Sequence, residues 1–324
     1  MFLRGTVAGP AKQVTAEAVA SRTQGFCSRC GATRAWGGQV TIIRKNHGGG
    51  HSYTDEQGAK VPGVTGLVSD GYPKKALKKW GEGAVADYYV DHRDELAKLP
   101  PSEARALLVK APHAATEKAA ARGKQAHTLA EKLLLGERVA IPKGAEGFVQ
   151  AAVDFIDGFD VQPVATEFTV YSEVWRWAGT CDLVADLIDP DDPEPDFELK
   201  QRVRWLLDFK TKVKESGVFP DAALQLAPYR CAERCVIDGV DQPMIDVDRC
   251  GIVQLYKDGS YRLVPVEAGD AEYKIFQYVQ QVALWQDNNR HVVGDPIMPP
   301  RTSTFRLVEE IADTDYEGDG FDDV

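Results

Sequence analysis

The sequence predicts an α/β fold, a mixed central β-sheet flanked by helices, with a helical N-terminal section ahead of it. Three observations point there. Ala165–Tyr171, Trp175–Ile188 and Val203–Phe209 are rich in β-branched and aromatic residues and bounded by Pro, Asp and Gly, as short strands are. Ala114–Leu135, Ala145–Phe159 and Glu272–Trp285 read as helices. The helical stretches stand before and after these strand-forming runs, the order of a layered α/β domain.

Taken in order, residues 1–60 are rich in Gly, Thr and polar residues and read as an irregular extension with one hairpin. Val61–Val68 is an apolar run broken by Pro and Gly, either a strand or a turn into a helix. Leu77, Trp80, Val85, Tyr88 and Tyr89 set a helix over Lys74–Lys98. Pro101–Lys110 starts another, with Ser102 as its N-cap. Ala114–Leu135, rich in Ala, Leu and Lys, is a long helix ended by Gly136. After the three strand runs, Ala222–Val236 returns to helix. Ile252–Tyr256 and Tyr261–Val266 form a hairpin around Asp258-Gly259. The chain divides into an extension (1–60), one domain (61–306) and an acidic tail (307–324) expected to be disordered.

The hydrophobic fraction of 44% is enough for a sizeable core. No apolar run is long enough for a membrane span, and Met1–Pro10 lacks the core of a signal peptide. Six cysteines in 324 residues do not suggest a disulfide scaffold, so a reducing, cytoplasmic setting is expected. The net charge of -11 argues against an anionic partner until its distribution is considered. Eight acids and no Lys or Arg follow Arg306, so the rest of the chain carries only -3. Basic clusters stand at Lys74, Lys75, Lys78 and Lys79 and at Lys210, Lys212 and Lys214. Either cluster alone reads as a solvated face; neither excludes nucleic acid.

The chemistry concentrates between Gly179 and Lys210. Asp182 follows Gly179-Thr180-Cys181 near the start of one apolar run, and Asp208 ends Val203-Arg204-Trp205-Leu206-Leu207. A carboxylate inside a sheet is costly unless it is paired or binds a cation. Lys210, two residues on, falls on the same strand face as Asp208. Two carboxylates and a carbonyl suit a hard cation such as Mg²⁺. Such an ion polarises a phosphodiester and acidifies bound water, and a nearby lysine can orient that water or offset charge on phosphate. The bland alternative is an edge-strand pair facing solvent.

Four pieces in order resemble the PD-(D/E)XK nuclease superfamily, in its RecB-like and phage exonuclease branch. They are Gly123 followed by His127, Gly179-Thr180-Cys181-Asp182, Asp208-Phe209-Lys210-Thr211, and Gln225 followed by Tyr229. The resemblance covers roughly residues 61–290. It implies a restriction-endonuclease-like core in which Asp182, Asp208 and the Phe209 carbonyl ligate Mg²⁺ or Mn²⁺. It places His127 close to the metal, an acid at Glu167, and Lys210 where it positions the attacking water. Gln225 and Tyr229, on one helical face, would orient the substrate strand or support the site. The implied activity is a metal-dependent DNA exonuclease of recombination, repair or phage genome processing, in a bacterium or phage-infected host. Lys74, Lys75, Lys78 and Lys79 would then touch the phosphate backbone, and a recombination or single-strand-binding protein is the kind of partner implied. Two alternatives stay open: a nuclease-fold module that binds DNA ends or proteins without cutting, and an endonuclease on the same fold.

The chain departs from the family pattern between Asp182 and Asp208, where an acidic insert, Asp189–Arg202, lengthens the gap. That insert holds a rival triplet, Glu198-Leu199-Lys200. Asp208 and Lys210 are preferred because an apolar run leads into them and Thr211 follows, whereas the Pro-rich approach to Glu198 makes a poor strand.

Cys27 and Cys30, with His47 and His51, have spacing compatible with a structural Zn²⁺ knuckle. The glycines between the histidines are wrong for a zinc-finger helix, so unligated loop residues are the preferred reading. Cys231, Cys235 and Cys250 lack the spacing of the iron–sulfur cluster some relatives of this branch carry, and are read as core cysteines.

Overall fold

The computed structural model describes residues 42–47, 50–194, 196–213, 215–289 and 292–297. It is a mixed α/β architecture, as the sequence predicts. The chain enters through a hairpin of β1 (Ile43–His47) and β2 (Gly50–Thr54), and β3 (Lys60–Val61) extends it to a three-stranded sheet. Helices α1 (Val64–Gly71), α2 (Lys75–Leu96), α3 (Pro101–Leu134) and α4 (Glu146–Gly158) follow. Then come β4 (Gln162–Ser172), β5 (Trp177–Ile188), β6 (Arg202–Lys212), α5 (Asp221–Arg230), β7 (Arg234–Ile237) and β8 (Val240–Pro243). The last elements are β9 (Arg249–Tyr256), β10 (Tyr261–Pro265) and α6 (Asp270–Asn288).

The second sheet has seven strands in the order β10-β9-β6-β5-β4-β7-β8. Its one parallel pair is β6 with β9; α5 lies within the crossover between them. Both faces are apolar because the central strands bury alternate residues in opposite layers. Leu183, Ala185 and Leu187 of β5 join Ala126, Ala130, Phe148 and Phe155 of α3 and α4 in one layer. Val184 and Leu206 join Leu67, Leu226, Tyr273 and Phe276 of α1, α5 and α6 in the other.

The small sheet is fastened to the large one at its centre. Tyr53 Oη shares a 2.8 Å hydrogen bond with Thr180 Oγ1 in a buried setting, and the Ala178 N–H donates to the Pro62 carbonyl at 3.0 Å. Arg176 donates to Asp55 at 2.8 Å. Among the described residues, no helix is long and apolar enough to cross a membrane.

Three sequence expectations need correction. The separate helices Pro101–Lys110 and Ala114–Leu135 are one helix, α3, which runs through Pro112. Ser102 is therefore inside the first turn, with Pro100 at the N-cap and Pro101 supplying the φ that a first helical residue needs. The helix expected over Ala222–Val236 stops at Arg230, and Arg234–Ile237 instead forms a hairpin with Val240–Pro243. Asp238 and Gly239 make its turn with φ of 50° and 78°, the doubly left-handed geometry that a tight hairpin wants. Cys231 caps α5 and Cys235 lies on β7, so the two do not share a helix; both are buried, as are Cys181 and Cys250.

Candidate active site

The site forms where the β5–β6 ladder of the large sheet gives out. Strand β5 pairs with β6 as far as Leu183–Leu207. One step beyond lie Asp182 and Asp208. The Asp182 Oδ2 takes the Phe209 N–H at 2.8 Å, a side-chain acceptor standing in for a backbone one. On the other side of β5, Thr166 pairs with Leu183 and Phe168 with Cys181, which places Glu167 opposite Asp182. Glu167 has φ of 47°, the left-handed region a non-glycine residue enters only under constraint. Three neighbouring strands thus bring Glu167, Asp182 and Asp208 into one row.

Helices complete the row from both faces. From α3, His127 Nδ1 lies 3.3 Å from Asp182 Oδ2, and its ring meets Phe209 edge-on at 6.1 Å between centroids. From α5, Gln225 Nε2 donates to Asp208 Oδ1 at 2.6 Å. Lys210 Nζ stands 2.5 Å from Asp208 Oδ2. That contact is ionic rather than a well-directed hydrogen bond, because Oδ2 is buried without a partner of good geometry. Tyr229, one helical turn beyond Gln225, is buried, with its ring against Gly179.

All of these side chains line one cleft of about 820 Å³. Its far wall is the β1–β2 hairpin, which contributes Arg44, Asn46, His47 and His51. Arg44 donates to the Glu167 carbonyl at 3.0 Å and lies 3.3 Å from its Oε2. Nothing in the spacing of the sequence marks Arg44; only the folding of the extension onto β4 brings it here.

The electrostatics are those of crowded carboxylates. Burial, then the Asp208 charge, pushes the Asp182 carboxyl well above its ordinary range. Burial also raises Glu167, against the pull of Arg44. Burial lowers His127 despite the neighbouring Asp208, so its imidazole is neutral at pH 7 and can act as a ligand. Burial works to lower Lys210, but Asp208 and Asp182 outweigh it and hold the ammonium protonated.

A divalent cation fits this donor set. His127, Glu167 and Asp182 each offer a ligand atom, all within 4.8 Å of one another, and Asp208 adds a buried carboxylate oxygen without a hydrogen-bond partner. Oxygen donors with one imidazole suit Mg²⁺ or Mn²⁺. The Phe209 backbone lies against both His127 and Asp182.

The other sequence candidates fall outside this centre. Lys74 sits 3.2 Å from Asp221 and lines a second hollow of about 290 Å³ with Lys210 and Lys212. Lys75, Lys78 and Lys79 are exposed on α2 and line neither hollow. Glu198 lies in a single 3₁₀ turn of the insert; Lys200 Nζ donates to the Asp192 carbonyl at 2.6 Å and does not line the cleft. His47 and His51, read from the sequence as candidates for a knuckle, stand on strands in the cleft wall, His47 sharing a 2.8 Å hydrogen bond with Ser52 Oγ. Cys27, Cys30 and the acidic tail lie outside the described residues.

Comparison of the chain with protein-family models and with curated proteins finds no match to either.

Proposed function

We propose that this protein is a divalent-metal-dependent DNA nuclease, an exonuclease by its resemblance to the phage exonuclease branch. One observation carries the reading. Asp182, Asp208 and Lys210 line a single cleft with His127 and Glu167, and the buried Asp208 Oδ2 there is met by the Lys210 ammonium at 2.5 Å.

His127, Glu167, Asp182 and Asp208 would hold the cation, with the Phe209 carbonyl as the further ligand that the resemblance implies. When bound, the cation would polarise the phosphodiester and lower the pKa of an attacking water. The chain's own groups do the rest. Lys210 keeps a positive charge beside Asp208, where it can orient water and offset charge gathering on phosphate. Gln225 fixes the Asp208 carboxylate through its 2.6 Å hydrogen bond. Arg44 holds Glu167 and presents a second positive charge from the opposite wall. The hydrolysis adds water to phosphorus and breaks one P–O ester bond, the leaving oxygen taking up a proton.

Linear, nicked, circular and single-stranded DNA incubated with Mg²⁺, Mn²⁺ or EDTA test the reading. Nucleotide release from linear DNA, abolished by EDTA, is expected. Lys210→Ala and Asp208→Ala are expected to lower the rate at least 100-fold, the scale of losing an electrostatic group from such a centre, while Glu198→Ala leaves it unchanged. Cutting of closed circles would make the protein an endonuclease. No cleavage of any substrate, with Lys210→Ala behaving as wild type, would leave only a non-cutting DNA-end-binding module.

A further inference from the structure

Arg44 lies outside the stretch that resembles the nuclease family, yet its side chain ends in the cleft beside Glu167. All three nitrogens of its guanidinium are engaged. Nη1 donates to the Glu167 carbonyl at 3.0 Å and Nη2 to the Glu167 carboxylate at 3.3 Å. Nε donates to Asn46 Oδ1 at 3.0 Å, which fixes the plane of the fork. One side chain of the β1–β2 hairpin therefore grips both the backbone and the carboxylate of a single residue of β4.

Glu167 needs such a grip. Its φ of 47° is a conformation that a residue with a Cβ keeps only where the surroundings hold it. It also stands where β4 has lost a neighbour. β7 pairs with β4 only at Thr169–Tyr171, and on the other side the register with β5 passes from Thr166–Leu183 to Phe168–Cys181. A carbonyl left without a ladder partner takes its donor from elsewhere, and Arg44 is that donor. A planar guanidinium fork can hold carbonyl and carboxylate at once, whereas an ammonium on a flexible stem cannot fix both. The contact does not take Glu167 away from the cation. Glu167 offers a ligand atom within 4.8 Å of those of His127 and Asp182, and one carboxylate can accept from an arginine while it also faces a metal.

We infer that Arg44 is a positioning residue of the cation site: it holds Glu167 in place as a ligand, so the site is complete only when the β1–β2 hairpin is docked on β4. The inference rests on the cation site of the nuclease reading and goes beyond it, because the hairpin stands outside the family resemblance. Its sign separates it from simple electrostatics. As a bare positive charge Arg44 would repel a divalent cation, and removing it would tighten metal binding. As a positioning group its loss weakens binding, by about 10- to 100-fold for the outer partner of a metal ligand. Linkage makes the effect reciprocal: a cation that gains from the docked hairpin stabilises that docking in return.

Isothermal titration calorimetry of the full chain with Mn²⁺, in the absence of DNA, tests it. Arg44→Ala should weaken Mn²⁺ binding about 10- to 100-fold. Arg44→Lys, which keeps the charge and loses the fork, should weaken it nearly as much. Glu167→Ala should weaken it too, and adding Arg44→Ala to that variant should cost nothing more, because the two residues act through one contact. The hairpin keeps its Tyr53–Thr180 and Arg176–Asp55 ties in all of these. Arg176→Ala, which instead cuts the tie to Asp55 and does not line the cleft, should bind as wild type. In hydrogen exchange, Mn²⁺ should slow the amides of β1 and β2 in wild type and leave them unchanged in Arg44→Ala. Unchanged or tighter binding in Arg44→Ala overturns the inference. So does wild-type affinity in Arg44→Lys, or an equal loss in Arg176→Ala, which would make the general stability of the hairpin the cause. A wild-type chain that binds no Mn²⁺ overturns the inference together with the cation site. A chain that shows this pattern of Mn²⁺ binding and cuts no DNA removes the nuclease reading and leaves the role of Arg44 standing.

Discussion

A Cβ added at Gly179 would lie 2.2 Å from Tyr229 Cε1, so the glycine three residues before Asp182 is there to admit an aromatic ring from α5. This links two motifs that the sequence presents as separate. The ring is buried and hemmed in, and it cannot retreat as an exposed side chain could. Gly179→Ala is expected to cost about 1–3 kcal/mol, the scale of overpacking a filled core, and to displace α5 with its Gln225. Urea unfolding measures the first effect. Gly123 makes the contrasting case: a Cβ there would meet Thr211 Oγ1 at 3.7 Å, an ordinary contact. Gly123→Ala should therefore keep wild-type stability. If both substitutions prove neutral, the Gly179–Tyr229 contact does not hold α5 in place.

At the scale of elements, the edge hairpin of β7 and β8 is tied to β4 by a partly buried acid, Glu233. Glu233 accepts from Ser172 Oγ at 3.1 Å and from the Glu173 N–H at 3.0 Å. Burial outweighs these bonds and raises its carboxyl to about 7. A folded-state value above the unfolded one favours folding in the protonated form. That contribution is full below about pH 4.5 and is lost as the pH rises through about 7. The difference corresponds to about 3 kcal/mol. Glu233→Gln should remove this slope, so the variant gains on wild type between pH 5 and 8 in parallel urea titrations; equal slopes would show that Glu233 does not titrate there. The same hairpin shows what was legible. β5 and β6 are long, apolar and bounded by turn residues, and the sequence places both. β7 and β8 have four residues each, too short to impose a period, and no Gly or Pro separates Arg230 from β7 to stop the helix. The one local signal was Asp238-Gly239, the same dipeptide type that marks the β9–β10 turn at Asp258-Gly259. Pro112 is the contrasting case. It reads as a helix breaker, yet α3 continues through it, and Thr116 Oγ1 donates to the Pro112 carbonyl at 2.9 Å. Among the site residues, Asp182, Asp208 and Lys210 announced themselves by position in strands. Arg44 did not, because its role depends on a contact 123 residues away in sequence.

Across the whole molecule, the fold keeps a row of acids at the junction of its two apolar layers, and that row sets the balance between stability and the proposed activity. Asp182 and Asp208 repel each other in a buried place, and the Lys210 ammonium answers only part of their charge. A chain built for stability alone would not bury two carboxylates side by side against a single ammonium. Two consequences separate a cation site from a structural ion pair. If the row holds Mn²⁺ or Mg²⁺, the ion would bind the folded chain alone and should raise the unfolding free energy by about 2.7 kcal/mol at 100 times its dissociation constant. For a domain of this size that is a rise in Tm of several degrees. Asp208→Asn relieves the repulsion while keeping the shape and the Gln225 contact. It should therefore melt higher than wild type without metal and lose most of the metal-induced rise. If Asp208 were merely the partner of Lys210, the result would invert: Asp208→Asn would strand a lysine, lower Tm, and leave the response to metal unchanged. Differential scanning calorimetry of both proteins, with and without Mn²⁺, distinguishes the two outcomes without any need for a substrate.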